Sequence, residues 1–390
     1  MAEGNHILII DFTNYEDYPI GGYLSFDRSM MESFGNQLAL AGITTFNGDP
    51  VGKWFKKSIG GSVYDFFAIA RYDKSKTRHL IPDRLVGFFL LKYYQRRICR
   101  KKVNNIFLQR HELLLSFSRL KSKNVCFCFA GLENPLSISK YSYAFSISKW
   151  FEGIFFKKLK FVKTILASGD NNAINEMIAR SKGEISRNSV IKFPTRINTQ
   201  IFRPLNKIQV RDKIGLSVAA TIVVTTGRLA YYKGWKFMID CFRLFEKEVP
   251  DSKLYLIGEG EDYERIKTYI SMTGLTHNII LGGKKEPDEI ALYLNASDLF
   301  IMGSYKEGWS TSLMEAIACG IPVCVTNFSS AAEIIINGEN GFVVEDHNEA
   351  LFVQAMKKAL TISRPVKNNN VIRYSSARLK EDLLKYWELS

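Results

Sequence analysis

The sequence predicts an α/β protein of two Rossmann-like, doubly wound domains facing across a cleft. Three observations carry this. A length of 390 residues suits two domains. In the second half, short β-branched runs alternate with amphipathic stretches at helical spacing, the pattern of a parallel sheet covered on both faces. Gly227, Gly258, Gly282 and Gly303 each follow the apolar run of a strand, so their loops should converge beyond the strands' carboxyl ends, where such sheets bind ligands.

In the first half, "HILIIDF" (6–12) reads as a strand, followed by a polar loop ending in "PIGGY" and a helix from about Ser25 to Ala41. Further strands are expected at 105–109, 124–129, 163–168 and 189–193. The boundary should fall near 196–207, giving an N-terminal domain over 1–200 and a C-terminal domain over 201–372. Residues 373–390 read as one amphipathic helix packing back toward the N-terminal domain. In the second domain "TIVVTTG" (221–227) is a strand. It leads to a helix whose Phe237, Met238, Cys241, Leu244 and Phe245 recur at helical spacing. Strands at 253–260, 278–283, 298–304 and 321–326 then alternate with helices near 261–272, 287–296 and "TSLMEAIACG".

Hydrophobic residues make up 46% and charged residues 24%, which excludes collagen-like, disordered and disulfide-stapled classes. The six cysteines form no CxxC pair and mostly lie in apolar runs, so they read as reduced thiols of a cytoplasmic protein, without a metal site. The start lacks a basic segment and cleavage site and is not expected to be a signal peptide. The apolar run "LVGFFLL" is far short of the ~20 residues needed to span a bilayer.

The net charge of +14 is unevenly placed: residues 1–203 hold 31 basic and 16 acidic side chains, leaving 22 and 23 for the rest. Lys92 to Lys123 carries ten basic residues against one acid, Glu112. A basic, aromatic-rich half suits a polyanion.

Chemistry concentrates in three places. In "YKEGWSTSLMEAIACGIPV" (305–323), Glu307 ends a strand-to-loop junction and Gly308 is expected to supply backbone freedom. Ser310, Thr311 and Ser312 open a helix, whose amides favour phosphate, and Glu315 lies one turn inside. As a bare pattern this equally describes a capped helix with an incidental acid. In "GRLAYYKG" (227–234), Arg228 and Lys233 follow a strand and can hold phosphate oxygens, or be solvated loop cations. In "IGG" (20–22), paired glycines let backbone approach a phosphate.

Together these resemble a GT-B glycosyltransferase of the retaining family 4 type (glycosyl transferases group 1). The resemblance is carried by "GRL…KG", "IGEGED" (257–262), the pair Glu307…Glu315, "EAIACGIPVCVT" (315–326) and "NGENGFVV" (337–344). It is strong from about 195 to 360. In the N-terminal half it rests on Gly21–Gly22 and "GLENPL" (131–136). It implies that a nucleotide-diphosphate sugar, UDP- or GDP-linked, binds the C-terminal domain and a glycan or lipid-linked acceptor the N-terminal one. Arg228 and Lys233 would hold the diphosphate and Glu307 the sugar hydroxyls, these three forming the catalytic set. Glu315 would take the ribose hydroxyls. Gly21, Gly22, Gly227, Gly258, Gly260, Gly308, Trp309, Ser310, Thr311, Ser312 and Leu313 would line the donor. No D-x-D triplet occurs, so no metal is implied. The usual acceptor-side histidine is replaced by Phe129–Ala130–Gly131; His111 is the nearest substitute, though it suits an ordinary core or surface position equally well, and Glu133 and Asn134 join it as acceptor-side candidates. The usual Asn-Gly-Val-Asp before the second domain is replaced by "PTRIN" (194–198).

Many members act on lipid-diphosphate acceptors. The mixed stretches 92–123 and 150–163 therefore suggest peripheral docking on the anionic inner face of the plasma membrane. The competing reading makes Phe88, Phe89, Leu90 and Leu91 core and the cations a solvated rim. Alternative functions are a nucleotide-sugar epimerase of the same fold or a catalytically silent binder of sugar or polyanion. No nucleic-acid-binding motif is present.

Overall fold

The structure is a computed structural model. It describes residues 6–19, 21–74, 82–132, 134, 136, 142–328 and 330–389, without the side chains of 142–145. The chain divides into two compact units, Met1–Thr195 with Ala377–Ser390, and Arg196–Ser376.

The first unit holds eight strands: β1 (Ile7–Ile10), β2 (Leu38–Thr44), β3 (Trp54–Ile59), β4 (Ser62–Arg71), β5 (Asn105–Leu108), β6 (Asn124–Phe129), β7 (Thr164–Ala167) and β8 (Val190–Lys192). Their order is β3-β4-β2-β1-β5-β6-β7-β8. All pair in parallel except the edge hairpin β3–β4. β1, β2, β5 and β6 are buried along their whole lengths, as parallel strands covered on both faces must be. The chain runs outward from β1 to β2 on one side and to β5 on the other, so the sheet's topological switch point lies between β1 and β5.

Two expectations fail here. The helix expected to reach Ala41 is Gly22–Phe34, because Gly35 takes a positive φ of 52° and "LALAGIT" continues as β2. The hairpin β3–β4 was not foreseen. The expected terminal helix also breaks into Asn369–Arg373, a 3-10 turn at Ser376–Arg378 and Leu379–Tyr386. Leu379 and Leu383 of that last stretch, and Trp387 just after it, are buried in the first unit, against Phe107 and Phe193 among others.

The second unit is a six-stranded parallel sheet of β9 (Thr221–Thr226), β10 (Ser252–Ile257), β11 (Ile279–Gly283), β12 (Leu299–Met302), β13 (Val323–Thr326) and β14 (Gly341–Val344). The order β11-β10-β9-β12-β13-β14 places the switch point between β9 and β12. The helix Trp235–Glu248 lays Phe237, Met238, Cys241 and Phe245 on the sheet. This is the stripe its 3.6-residue period dictates. Five cysteines are buried, the sixth is half-buried, and all six are free thiols.

Candidate active site

The loops after β9, β10 and β12 meet at the switch point of the second sheet, held together by backbone contact that only glycine allows. Gly258 has a positive φ of 149°, and a Cβ there would lie 1.8 Å from the Gly227 carbonyl oxygen. Gly234, at φ 70°, would meet the Gly303 carbonyl oxygen at the same distance. Backbone freedom is thus used at Gly227, Gly234 and Gly258; Gly308, expected to supply it, is not among the positive-φ glycines. Gly260 abuts Leu229, whose amide is held by the Glu259 carbonyl at 2.8 Å.

The resulting crevice is lined by Thr226, Gly227, Arg228, Lys233, Met302 and Ser304, among others. Lys233 Nζ lies 2.5 Å from Glu307 Oε1, and Ser304 Oγ donates to the same oxygen at 2.8 Å. Both charged groups are mostly covered, so the pair is a fixed feature of the crevice. Arg228 behaves differently: it reaches Glu261 at 2.9 Å, and both are more than half exposed. Solvent screens such a contact, so Arg228 is easily redirected. Ser312 Oγ stands next to Gly227. Ser310 caps the helix Thr311–Ala318, its Oγ accepting from the Leu313 amide at 3.3 Å. The amides of Thr311 and Ser312 stand at the same helix end.

Glu315 lies one turn into this helix. No hydrogen bond or ion pair reaches its carboxylate among the described residues, and desolvation pushes it up to about 7. Trp309 turns its ring into the core against Tyr374, 5.3 Å between centroids, so its side chain belongs to packing. Two crevice groups escaped the sequence reading. Ser304 orients Glu307, and Thr226 Oγ1 is buried without a hydrogen-bond partner among the described residues. Each is an ordinary residue at a strand end, with no local signal.

In the first unit, Gly21 and Gly22 open the helix Gly22–Phe34, with nothing among the described residues within 4 Å of where either Cβ would stand. His111 is buried among the rings of Phe127, Phe129 and Phe155, the last at 4.4 Å. Burial, aided by Arg84 and Arg180, lowers its pKa to about 3. It is a neutral core histidine at ordinary pH. Asn134 donates to the Ser148 carbonyl at 2.8 Å and accepts from the Leu136 amide at 3.0 Å, tying a loop to the helix Ser142–Leu159. Glu133 lies outside the described residues. Among the described residues no cluster of three or more His, Cys, Asp or Glu is arranged to hold a metal ion.

Two doubly wound sheets of this order define the GT-B fold. The chain is similar over 98% of its length to sucrose-phosphate synthase from Thermosynechococcus elongatus, with a TM-score of 0.71, 16% identity and 95% of that chain covered. It is also similar to Anabaena Alr3699/HepE, solved in complex with UDP-glucose, at a TM-score of 0.69, 14% identity, 97% of this chain and 98% of that one. At such identities the likeness is one of fold. Residues 206–378, which contain the whole crevice, match the family described as glycosyl transferases group 1. Within sequence relatives, 135 residues are 36% identical to poly(glycerol-phosphate) alpha-glucosyltransferase of Bacillus subtilis (strain 168), covering 34% of this chain and 20% of that one. Another 181-residue match, 25% identical, is to N-acetyl-alpha-D-glucosaminyl L-malate synthase of Bacillus anthracis, covering 46% of each. The chain thus spans between a fifth and about half of the length of these relatives.

Proposed function

We propose that the protein is a retaining glycosyltransferase of family 4 type. It would move a sugar from a UDP- or GDP-linked donor to a glycan or lipid-linked acceptor. The observation that carries this is the second-unit crevice. Lys233, Glu307, Ser304 and the capped start of the helix Thr311–Ala318 stand together at the switch point, with Arg228 beside them. The family match covers that crevice, and a fold neighbour was solved with UDP-glucose.

In this reading Lys233 and Arg228 take the donor diphosphate, with the amides of Thr311 and Ser312. Breaking the anomeric bond leaves negative charge on the departing diphosphate. Preorganised cations and amides stabilise that charge as it forms, so the protein would need no metal. Lys233 must then exchange part of its contact with Glu307 for phosphate, leaving Glu307 an acceptor for sugar hydroxyls. Glu315, without a hydrogen-bond or ion-pair partner among the described residues, accepts from the ribose. The acceptor attacks from the leaving-group face and the diphosphate takes its proton. The test is a panel of UDP- and GDP-sugars, scored for nucleotide release and for product anomeric configuration, with and without EDTA. Retention with EDTA-resistant turnover supports the reading; inversion or EDTA-abolished turnover refutes that part of it.

Docking on an anionic leaflet is favoured by a specific surface of the first unit. On the helix Asp83–Ile98, Leu85, Phe89 and Tyr93 recur every four residues and are exposed, while Leu91 is fully buried. On Ser142–Leu159, Ile147, Trp150 and Ile154 form a second exposed stripe. Both helices pack on the short helix His111–Ser116. Exposed Lys92, Arg96, Arg100, Lys149 and Lys157 accompany the stripes. Among the described residues no helix is long and apolar enough to cross a membrane. Each cation near an anionic surface contributes about 1 kcal/mol. Co-sedimentation with anionic vesicles at low salt, lost at high salt or with neutral lipid, is expected; absence of binding at low salt would reject the dock.

A further inference from the structure

The first unit contains a buried ionic network that the crevice chemistry leaves unused. It sits at that sheet's own switch point, between the carboxyl ends of β1 and β5. Asp11 follows β1, and Gln109 and Arg110 follow β5. Arg110 Nε donates to Asp11 Oδ1, which also accepts from the Phe12 amide at 2.6 Å. Tyr15 fixes the backbone of the same turn, accepting from the Asp11 amide at 3.1 Å and donating to the Ala41 carbonyl at 2.9 Å. Asp27, from the helix Gly22–Phe34, is as buried as Asp11. It accepts from Gln109 Nε2 at 2.7 Å and from Thr13 Oγ1 at 3.5 Å. Burial, and next the adjoining Asp11 charge, push the Asp27 carboxyl well up; Asp11 is the acid that meets Arg110 directly.

Arg110 is thereby fixed from two sides, since its guanidinium also lies over the Tyr23 ring, 4.5 Å from the centroid. Its Nη groups, by contrast, have no hydrogen-bond partner among the described residues, and the side chain keeps 15% of its surface open. Tyr23 is the second residue of the helix Gly22–Phe34, so the free edge of the guanidinium stands near that helix's first turn. There Gly21 and Gly22 are exposed, and no side chain caps the helix start at Gly21, at the positive end of the dipole. The other charges nearby are Glu112 and Arg84. Burial raises Glu112, while Arg110 and Arg84 hold it down. A purely structural ion pair is complete once Nε meets its carboxylate. A planar fork with its outer donors unspent, beside a helix start, has the geometry that recognises a tetrahedral oxyanion.

We propose that Arg110 binds a phosphate group at the carboxyl ends of β1 and β5, with Asp11 and Asp27 acting through it as positioning residues. The inference rests on the reading that the substrates carry phosphate. The phosphate belongs either to the donor diphosphate or to the acceptor, and the two are separable.

The test uses two variants. Arg110→Lys keeps a charge opposite Asp11 but loses the fork. Arg110→Gln combined with Asp11→Asn removes both buried charges, so neither is orphaned and the fold is kept. Lys182→Gln, an exposed cation of the same unit, controls for net charge. Calorimetric titrations measure UDP and GDP on the whole protein, then inorganic phosphate on the nucleotide-saturated protein. Loss of one charge-assisted fork should weaken binding by about tenfold or more. A drop in nucleotide affinity in both variants assigns the group to the donor diphosphate. A drop only in phosphate binding to the saturated protein assigns it to the acceptor. If both titrations match wild type while Lys233→Ala abolishes nucleotide binding, the Arg110 assignment is overturned and the transferase reading stands. If wild type binds no nucleotide and no phosphate, both fall.

Discussion

Glu315→Gln should make the protein more stable and its donor site worse. Glu315 is half-buried in the second unit, with no cation or donor at its carboxylate among the described residues, and desolvation raises its pKa from an ordinary 4.5 to about 7. At about 1.36 kcal/mol per pH unit, that gap is worth about 3 kcal/mol of folding free energy withheld once the group is ionised. The sign follows from proton binding. Between the two values the folded state holds a proton the unfolded chain has lost, so the group is harmless below about 4.5 and costs most above 7. Gln removes this cost but must bury an amide, worth about 1–3 kcal/mol when unpaired. The net gain should be about 1–2 kcal/mol at pH 8 and should vanish or reverse at pH 5, read by denaturant titration. Binding moves oppositely. In the proposed site only an ionised carboxylate could accept from both ribose hydroxyls, so affinity for a nucleotide sugar should fall about tenfold between pH 8 and pH 6 in wild type, following the ionised fraction. A nucleotide sugar is the right probe because its diester phosphates do not titrate there. Glu315→Gln should bind weakly and nearly independently of pH. A variant less stable at pH 8, or a wild-type affinity flat across this range, would refute the argument.

Lys233→Ala should lower turnover by about 10²-fold or more, the scale of losing one preorganised charge stabiliser, while the protein stays folded; near-normal turnover would contradict its role. Glu307→Gln should leave free UDP or GDP affinity nearly intact while reducing turnover, because Lys233 is then released to phosphate; equal loss of nucleotide affinity in Glu307→Gln and Glu315→Gln would exchange or dissolve their assignments. Gly258→Ala places a Cβ 1.8 Å from the Gly227 oxygen at a φ of 149°. It should destabilise the second unit by about 1–3 kcal/mol or more and impair nucleotide binding, both measurable on one sample.

The second unit was the more legible from sequence. Its strands end in glycines that the fold needs, and "GRLAYYKG" and "YKEGWSTS" are short segments whose residues meet within one crevice. The first unit hid more. The start of β2 reads equally as the end of the preceding helix because "LALAG" suits either state, and the partners that decide for strand, β1 and β4, are set by tertiary pairing. The polar network of Asp11, Asp27 and Arg110 joins positions as many as 99 residues apart. No local spacing announces it; only the meeting of β1 and β5 at the switch point brings it together. His111 illustrates the reverse: a histidine that looked chemical beside an acid is enclosed by phenylalanines whose arrangement depends on β6 and the helix Ser142–Leu159.

The central claim is that the crevice beyond β9 and β12 activates a nucleotide-diphosphate sugar. Its most direct test is the release of UDP or GDP from a panel of nucleotide sugars by wild type and Lys233→Ala, without added acceptor and then with a glycan and lipid-diphosphate acceptor panel. The account predicts measurable release from at least one donor by wild type, faster with an acceptor, and about 10²-fold slower for Lys233→Ala. No release above buffer from any donor, or equal release by the two proteins, would contradict it.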